Sequence, residues 1–161
     1  MTTPRIKIAI STQQLELLDG ENVIFKAQVS TARNGVGEVF GSECTPRGKH
    51  IIRAMIGRGC AKGTVFVGRR PTGEAYSPDM QKQFPDRDWI LTRILWLSGC
   101  EPGRNRLGNV DTMRRFIYIH GCPDEYPLGV ADSHGCIRMH NEDIVQLFDQ
   151  VRVGMPVMIE E

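Results

Sequence analysis

The sequence predicts a mainly β domain, a β-sandwich or flattened barrel with one clear α-helix near its C-terminal end. Three observations carry this. Apolar and polar residues alternate in about seven short runs, the period of half-buried strands. Turn pairs and Gly/Pro clusters, drawn from 17 glycines and 9 prolines, separate the runs. Helical apolar spacing with a start signal occurs in one place, after Asn141. With 161 residues the chain suffices for one hydrophobic core and falls short of two. Residues 1–161 therefore read as a single domain.

Arg5 to Ile10 alternates as Ile-Lys-Ile-Ala-Ile, and strand-like runs follow at Gln13 to Leu18 and Asn22 to Ser30 across the turn pair Asp19-Gly20, which predicts a meander. Gly35, Gly37 and Gly41 punctuate a loop ending in Thr45-Pro46-Arg47-Gly48, and His50 to Ile56 is the next strand. Thr64 to Val67 is a short β-prone run. Gly68 to Asp88, rich in Pro, Gly and charge, reads either as a flap beside a site or as a plain surface loop. Trp89 to Leu97 is a central strand in which Trp96 belongs to the core. In the loop Gly99 to Asp111, Arg104 and Arg106 are solvated charges in reach of an anionic ligand at most. Arg115 to His120 is a strand. Asn141 is the expected cap of a helix with Glu142 and Asp143 in its first turn and Ile144, Val145, Leu147 and Phe148 on its apolar face. Gly154 ends it, and Pro156 to Ile159 reads as an edge strand, where Pro is tolerated.

Composition narrows the function. Twenty basic residues against nineteen acidic ones give no electrostatic case for nucleic acid or an anionic membrane. The start, MTTPRIKIAI, has no secretory apolar region, and no segment is long and apolar enough to span a bilayer. The expectation is a cytoplasmic protein, supported by Met1 as initiator, with a periplasmic placement if a leader has been removed. Five cysteines, an odd number at irregular spacings, suit a reducing compartment. Cys44, Cys60 and Cys100 read as small buried hydrophobes.

The chemistry concentrates in the nineteen residues His120 to Arg138, HGCPDEYPLGVADSHGCIR, with two of the four histidines and two of the five cysteines. A thiol attacks an amide as thiolate, so Cys136 needs a base, and His120 at a strand end can supply one. Gly135 lets backbone amides converge, making the Gly135 and Cys136 N–H groups the expected oxyanion donors, with His134 contributing its amide or orienting substrate through its ring. Arg138 offers a fork suited to a carboxylate.

The same residues resemble the signature of the L,D-transpeptidase (YkuD) catalytic domain. In that pattern a His closing a strand is followed by a loop and by Ser/Thr-His-Gly-Cys, an apolar residue and Asn or Arg. Here these are His120, Ser133, His134, Gly135, Cys136, Ile137 and Arg138, with milder similarity from Lys7 to Ile159 and a Thr-Pro-x-Gly ahead of a strand. The resemblance implies that the Gly121 carbonyl orients His120. It also implies a peptidoglycan tetrapeptide or muropeptide substrate contacted by Arg138 and Ser133, thioester chemistry without a cofactor, and acylation of Cys136 by carbapenems. Cleavage before the terminal D-alanine with water as acceptor would be L,D-carboxypeptidase action in muropeptide recycling, whereas a second stem as acceptor would give a cross-link. Most of the family carries an export signal or membrane anchor, and neither is evident in this chain.

Other readings of the stretch stand beside this one. His120-Gly121-Cys122 and His134-Gly135-Cys136 could supply four zinc ligands, although one-residue spacing is atypical of structural sites. A non-catalytic zinc- or wall-binding domain is that reading's functional form. Cys122 could also pair with Cys136 as a redox switch, or be a bystander.

Overall fold

The computed structural model describes residues 3–161. Met1, read above as initiator, lies outside the described residues. Three strands, β1 Arg5–Ala9, β2 Gln14–Asp19 and β3 Asn22–Gln28, form the expected meander. After a loop come β4 Gly48–Ile56, β5 Thr64–Val67, β6 Arg70–Ala75 and helix α1 Pro78–Gln83. The long strand β7 Ile90–Gly99 leads through a 3-10 turn at Gly108–Val110 to β8 Tyr118–Gly121 and β9 Ile137–Met139. Helix α2 Asn141–Phe148 and strand β10 Pro156–Glu160 finish the chain.

One mixed sheet joins all these strands in the order β3-β2-β1-β10-β4-β7-β5-β6. It branches at β7. Ile94 pairs with Ile56 of β4 on one edge and with His120 of β8 on the other, and Leu91 likewise joins Val65 of β5 to Gly121 of β8. β9 then pairs parallel with β8. One face holds the main core, in which Ile6, Ile8, Leu95, Ile119, Ile137 and Met139 meet Ile144, Leu147 and Phe148 of α2. Ile119 and Ile137 are register partners in that core. The pleat therefore turns the next partners, His120 and Arg138, to the opposite face. A smaller cluster of Phe66, Ile94 and Tyr118 lies there, with Cys136 packed against it.

Several sequence expectations need correction. β10 is not an edge strand: it runs parallel to β1 and antiparallel to β4. Pro156 is accommodated because it opens the strand, where a missing N–H interrupts little of the ladder. The stretch from 68 to 88 is partly ordered structure. Gly68 and Arg69, at φ 57° and 64°, make the two-residue turn of a β5–β6 hairpin, and α1 starts on Pro78. The strand carrying His120 begins at Tyr118, since Phe116 sits in the left-handed region at φ 56°. Helix α2 stops at Phe148, and Gly154, at φ 90°, turns the chain into β10. Cys100 is exposed, and Cys44 and Cys60 are part-buried.

Asn141 is the first residue inside α2, and His140 occupies the cap position. The Asn141 amide is buried instead as a tie between layers. Its Nδ2 donates to Cys122 O at 2.9 Å and to Asp124 Oδ1 at 3.0 Å, and its Oδ1 accepts from Thr92 Oγ1. Thr92, at φ 76°, lies where the β7 register shifts between Leu91 and Ile94. Removing this amide leaves buried groups unpaired. Asn141→Ala is expected to cost about 2 kcal/mol or more, read as a lower urea midpoint at unchanged denaturant slope.

Candidate active site

The β8–β9 pairing brings the candidate residues together. Cys136 precedes β9 by one residue and Arg138 by two, so strand alternation sets both on the face that carries His120. Ser133 staples the turn: its Oγ donates to Cys136 O at 2.6 Å and accepts from Gly135 N–H at 3.2 Å. Gly135 has φ 130°, and a Cβ there would press on Cys44 O and Ile117 Cδ1, each at 3.3 Å. Only glycine suits both conditions.

From the far side, Thr45 Oγ1 donates to the Gly135 carbonyl at 2.9 Å and accepts from Ala32 N–H at 2.9 Å. A trans peptide points its N–H opposite its carbonyl. Holding the Gly135 carbonyl against Thr45 therefore aims the Cys136 N–H the other way, where no acceptor meets it among the described residues. Of the two amides expected as oxyanion donors, Gly135 N–H is committed to Ser133, which leaves Cys136 N–H available.

The thiol sits between two backbone groups. Tyr118 N–H donates to Cys136 Sγ at 3.3 Å, and Sγ donates to Phe116 O at 3.4 Å. The left-handed backbone at Phe116, costly for a bulky residue, is stored strain beside the sulfur. His120 Nδ1 donates to Gly121 O at 2.6 Å, which fixes the tautomer and leaves Nε2 as the acceptor. His120 is fully enclosed, and burial lowers its pKa against the opposing pull of Asp88 and the Gly121 carbonyl. Burial also pushes the Cys136 thiol up to about 12, outweighing the Tyr118 N–H that favours thiolate. The residue keeps partial solvent access, so the sulfur is reachable though poorly solvated. Both shifts favour the neutral forms, a thiol on Cys136 and an imidazole on His120.

Arg138 is buried over the Tyr126 ring at 5.1 Å, donates to Asp132 O at 3.2 Å, and has Asp88 and Asp132 carboxylates at 3.8 and 3.7 Å. It lines a pocket of about 410 Å³ with Arg33, Asp88, Tyr126 and the exposed His134. The 68–88 segment abuts this pocket through Gln81, which accepts from Tyr126 Oη at 2.9 Å, and Tyr76 Oη donates to Glu125 at 2.9 Å alongside. A second pocket, about 210 Å³, lies on the other side of His134, with Phe40, Glu43, Arg114, Arg115 and Phe116 on its walls. The larger apolar hollow of about 490 Å³ on β1, β4 and β10 contains none of the candidate residues.

The remaining sequence candidates lie elsewhere. Cys122 is buried, donates to Met139 O at 3.4 Å, and is pushed up to about 12 by desolvation. No group of three or more His, Cys, Asp or Glu side chains is placed to hold a metal among the described residues. Arg104 pairs with Glu101 at 3.3 Å, and neither it nor Arg106 lines the two pockets beside His134. Trp96 is part-buried, its Nε1 donating to Met113 O at 3.1 Å. Thr45, Tyr118, Phe116, Asp88 and Arg115 were not singled out from sequence. For Thr45 a signal existed in Thr-Pro-Arg-Gly, but nothing local says that its hydroxyl reaches Gly135.

The model of the family described as the L,D-transpeptidase catalytic domain, YkuD, matches residues 3–159. The chain belongs to that family. The Bacillus subtilis protein YqjB, named for the L,D-transpeptidases, is 45% identical over 47 residues, which are 29% of this chain and 27% of YqjB. ErfK/SrfK of Escherichia coli K12 is 47% identical over 45 residues, 28% of this chain and 14% of that protein. The matched segments thus span about a quarter or less of these relatives. An L,D-transpeptidase from Mycobacterium smegmatis aligns with TM-score 0.57 and 17% identity over 99% of this chain and 59% of that one. L,D-transpeptidase 3 from Mycobacterium tuberculosis, solved with a faropenem-derived adduct, aligns with TM-score 0.59 and 20% identity over 99% and 61%. These two likenesses show the L,D-transpeptidase fold.

Two predictions follow from this geometry. Alkylation of Cys136 in the free protein, read by peptide mapping, should climb steadily between about pH 6 and 10, whereas a preformed thiolate–imidazolium pair would level off near the low end. Thr45→Val should slow acylation of Cys136 by about tenfold or more, the scale of a misaimed oxyanion donor, while Thr45→Ser retains most of the rate.

Proposed function

We propose that this L,D-transpeptidase-family enzyme trims peptidoglycan tetrapeptide stems to tripeptides as an L,D-carboxypeptidase acting on soluble muropeptides in the cytoplasm. The observation that carries the acyl-transfer chemistry is the fixed His120 tautomer on the face that bears Cys136, with the Cys136 N–H free. His120 Nε2 takes the thiol proton as Sγ adds to the diamino-acid carbonyl, and the oxyanion forms against Cys136 N–H. The C–N bond breaks, and His120 returns the proton to the departing D-alanine amine. Water then attacks the thioester with His120 as base, releasing tripeptide and restoring the thiol.

The reading of water as acceptor rests on the size of the larger pocket beside His134, whose volume of about 410 Å³ suits one small ligand better than a second stem beside the first. Five unpaired cysteines among the described residues favour a reducing compartment. Cross-linking in the periplasm is the second reading. Carbapenems, which present a strained amide carbonyl, should acylate Cys136, a reading supported by the solved complex of the L,D-transpeptidase LdtMt1 with the carbapenem imipenem.

A mass-spectrometric time course with purified disaccharide-tetrapeptide tests the proposal. Tripeptide and free D-alanine without dimer, absent in Cys136→Ala, is the expected result. Accumulation of bridged dimer would replace it with transpeptidation. With a carbapenem, the intact mass of wild type should shift and that of Cys136→Ala should not.

A further inference from the structure

His120 and Arg138 are register partners on the parallel strands β8 and β9, so their side chains stand next to each other on the site face. Both are buried. At rest a neutral imidazole lies beside one guanidinium. During acyl transfer the ring holds the thiol proton, and two cations then stand on neighbouring strands where little water reaches them, which like charges make costly. A carboxylate nearby would offset that cost.

Two carboxylates approach Arg138, Asp132 at Nη1 and Asp88 at Nη2. Asp132 is already bound to Arg33 at 2.6 Å. Asp88 makes no other ion pair among the described residues, and its position is set by its chain neighbours. Arg87 forms a two-pronged bridge to Glu74 at 2.6 and 3.2 Å, and Trp89 is buried with its ring 5.1 Å from that of Tyr76. The half-exposed carboxylate between them is thereby held on the wall of the pocket that Arg138 lines.

Few charged or titratable groups surround His120. Arg138 and the Cys136 thiol come from β9 and the turn ahead of it, and Asp88 from the segment before β7. Tyr126 and Asp132, both against Arg138, come from the loop between β8 and β9. Asp88 and Arg138 pull the ring in opposite directions, the carboxylate toward imidazolium and the guanidinium away from it.

We propose that Asp88 is a positioning residue whose charge lets a protonated His120 form beside Arg138 while the thiol adds to the substrate carbonyl and the leaving amine awaits its proton. Its role is electrostatic: no proton passes to it and no bond forms to it. The inference rests on the acyl-transfer reading above.

Asp88→Asn and Asp88→Glu, at a half-exposed position, separate this role from a structural one. The His120 ring is titrated by NMR in the free enzyme, with His120→Ala to assign its signal, and kcat and KM are measured with disaccharide-tetrapeptide. In Asp88→Asn the ring midpoint and the acidic limb of kcat/KM should both move down by about half a pH unit or more, because an imidazolium that has lost its carboxylate gives up its proton more readily. The same variant should lose about tenfold in kcat with KM little changed, the pattern of an interaction gained in the transition state. Asp88→Glu should keep most of the rate. If Asp88 only shields Arg138 from the substrate, Asp88→Asn will lower KM and leave kcat and the ring midpoint where they were, which overturns the assignment. If wild type cleaves no tetrapeptide, the proposed function fails, and the ring titration by itself still decides this inference: an unmoved midpoint in Asp88→Asn refutes it.

Discussion

The site depends on the parallel pairing of β8 with β9. Ile119 and Ile137 lock that pairing by meeting in the main core, and the pleat then sends His120, Arg138 and the approach to Cys136 to the other face. A slip of one residue would put His120 in the hydrophobic core and Ile119 beside the thiol. The site's registry is thus held by burial of apolar side chains that take no part in its chemistry. Asn141 adds a polar tie at the same place, joining Cys122, just past the end of β8, to Thr92 in the bulge of β7.

Desolvation sets the resting state. It lowers His120 and raises Cys136, so the nucleophile is stored as a thiol donating to a carbonyl that a strained Phe116 turns toward it. What is organised ahead of reaction is the tautomer of His120 and the aim of the Cys136 N–H. Electrostatic preorganisation of this kind acts where charge develops and needs no resting thiolate. Arg115, which donates to Cys44 O, braces the loop that carries Cys44 and leads to Thr45, tying the smaller pocket to the clamp on Gly135.

Much of this was legible in the sequence, for local reasons. Alternation marked Arg5–Ala9 and its neighbours as strands, and the chemistry was legible because His120 and the Ser-His-Gly-Cys turn happen to fall within one nineteen-residue stretch that carries a family signature. What escaped is non-local. The place of β10 between β1 and β4 depends on partners at the far end of the chain, so Pro156 read as an edge residue. Asn141 looked like a cap because a helix followed it, yet its partners come from β7 and the loop after β8. The Thr45 hydroxyl acts 90 residues away from its own position, and no local pattern predicts that reach.

The central claim is that Cys136 carries the acyl group, with His120 as its proton relay. Rapid quenching of the enzyme with tetrapeptide, followed by intact mass and peptide mapping, tests it directly. The account predicts a tripeptidyl thioester on Cys136, formed slowly in His120→Ala and absent in Cys136→Ala. Turnover with the acyl group mapped to Cys122 or Cys44, or with no covalent species while Cys136→Ala stays active, would contradict it.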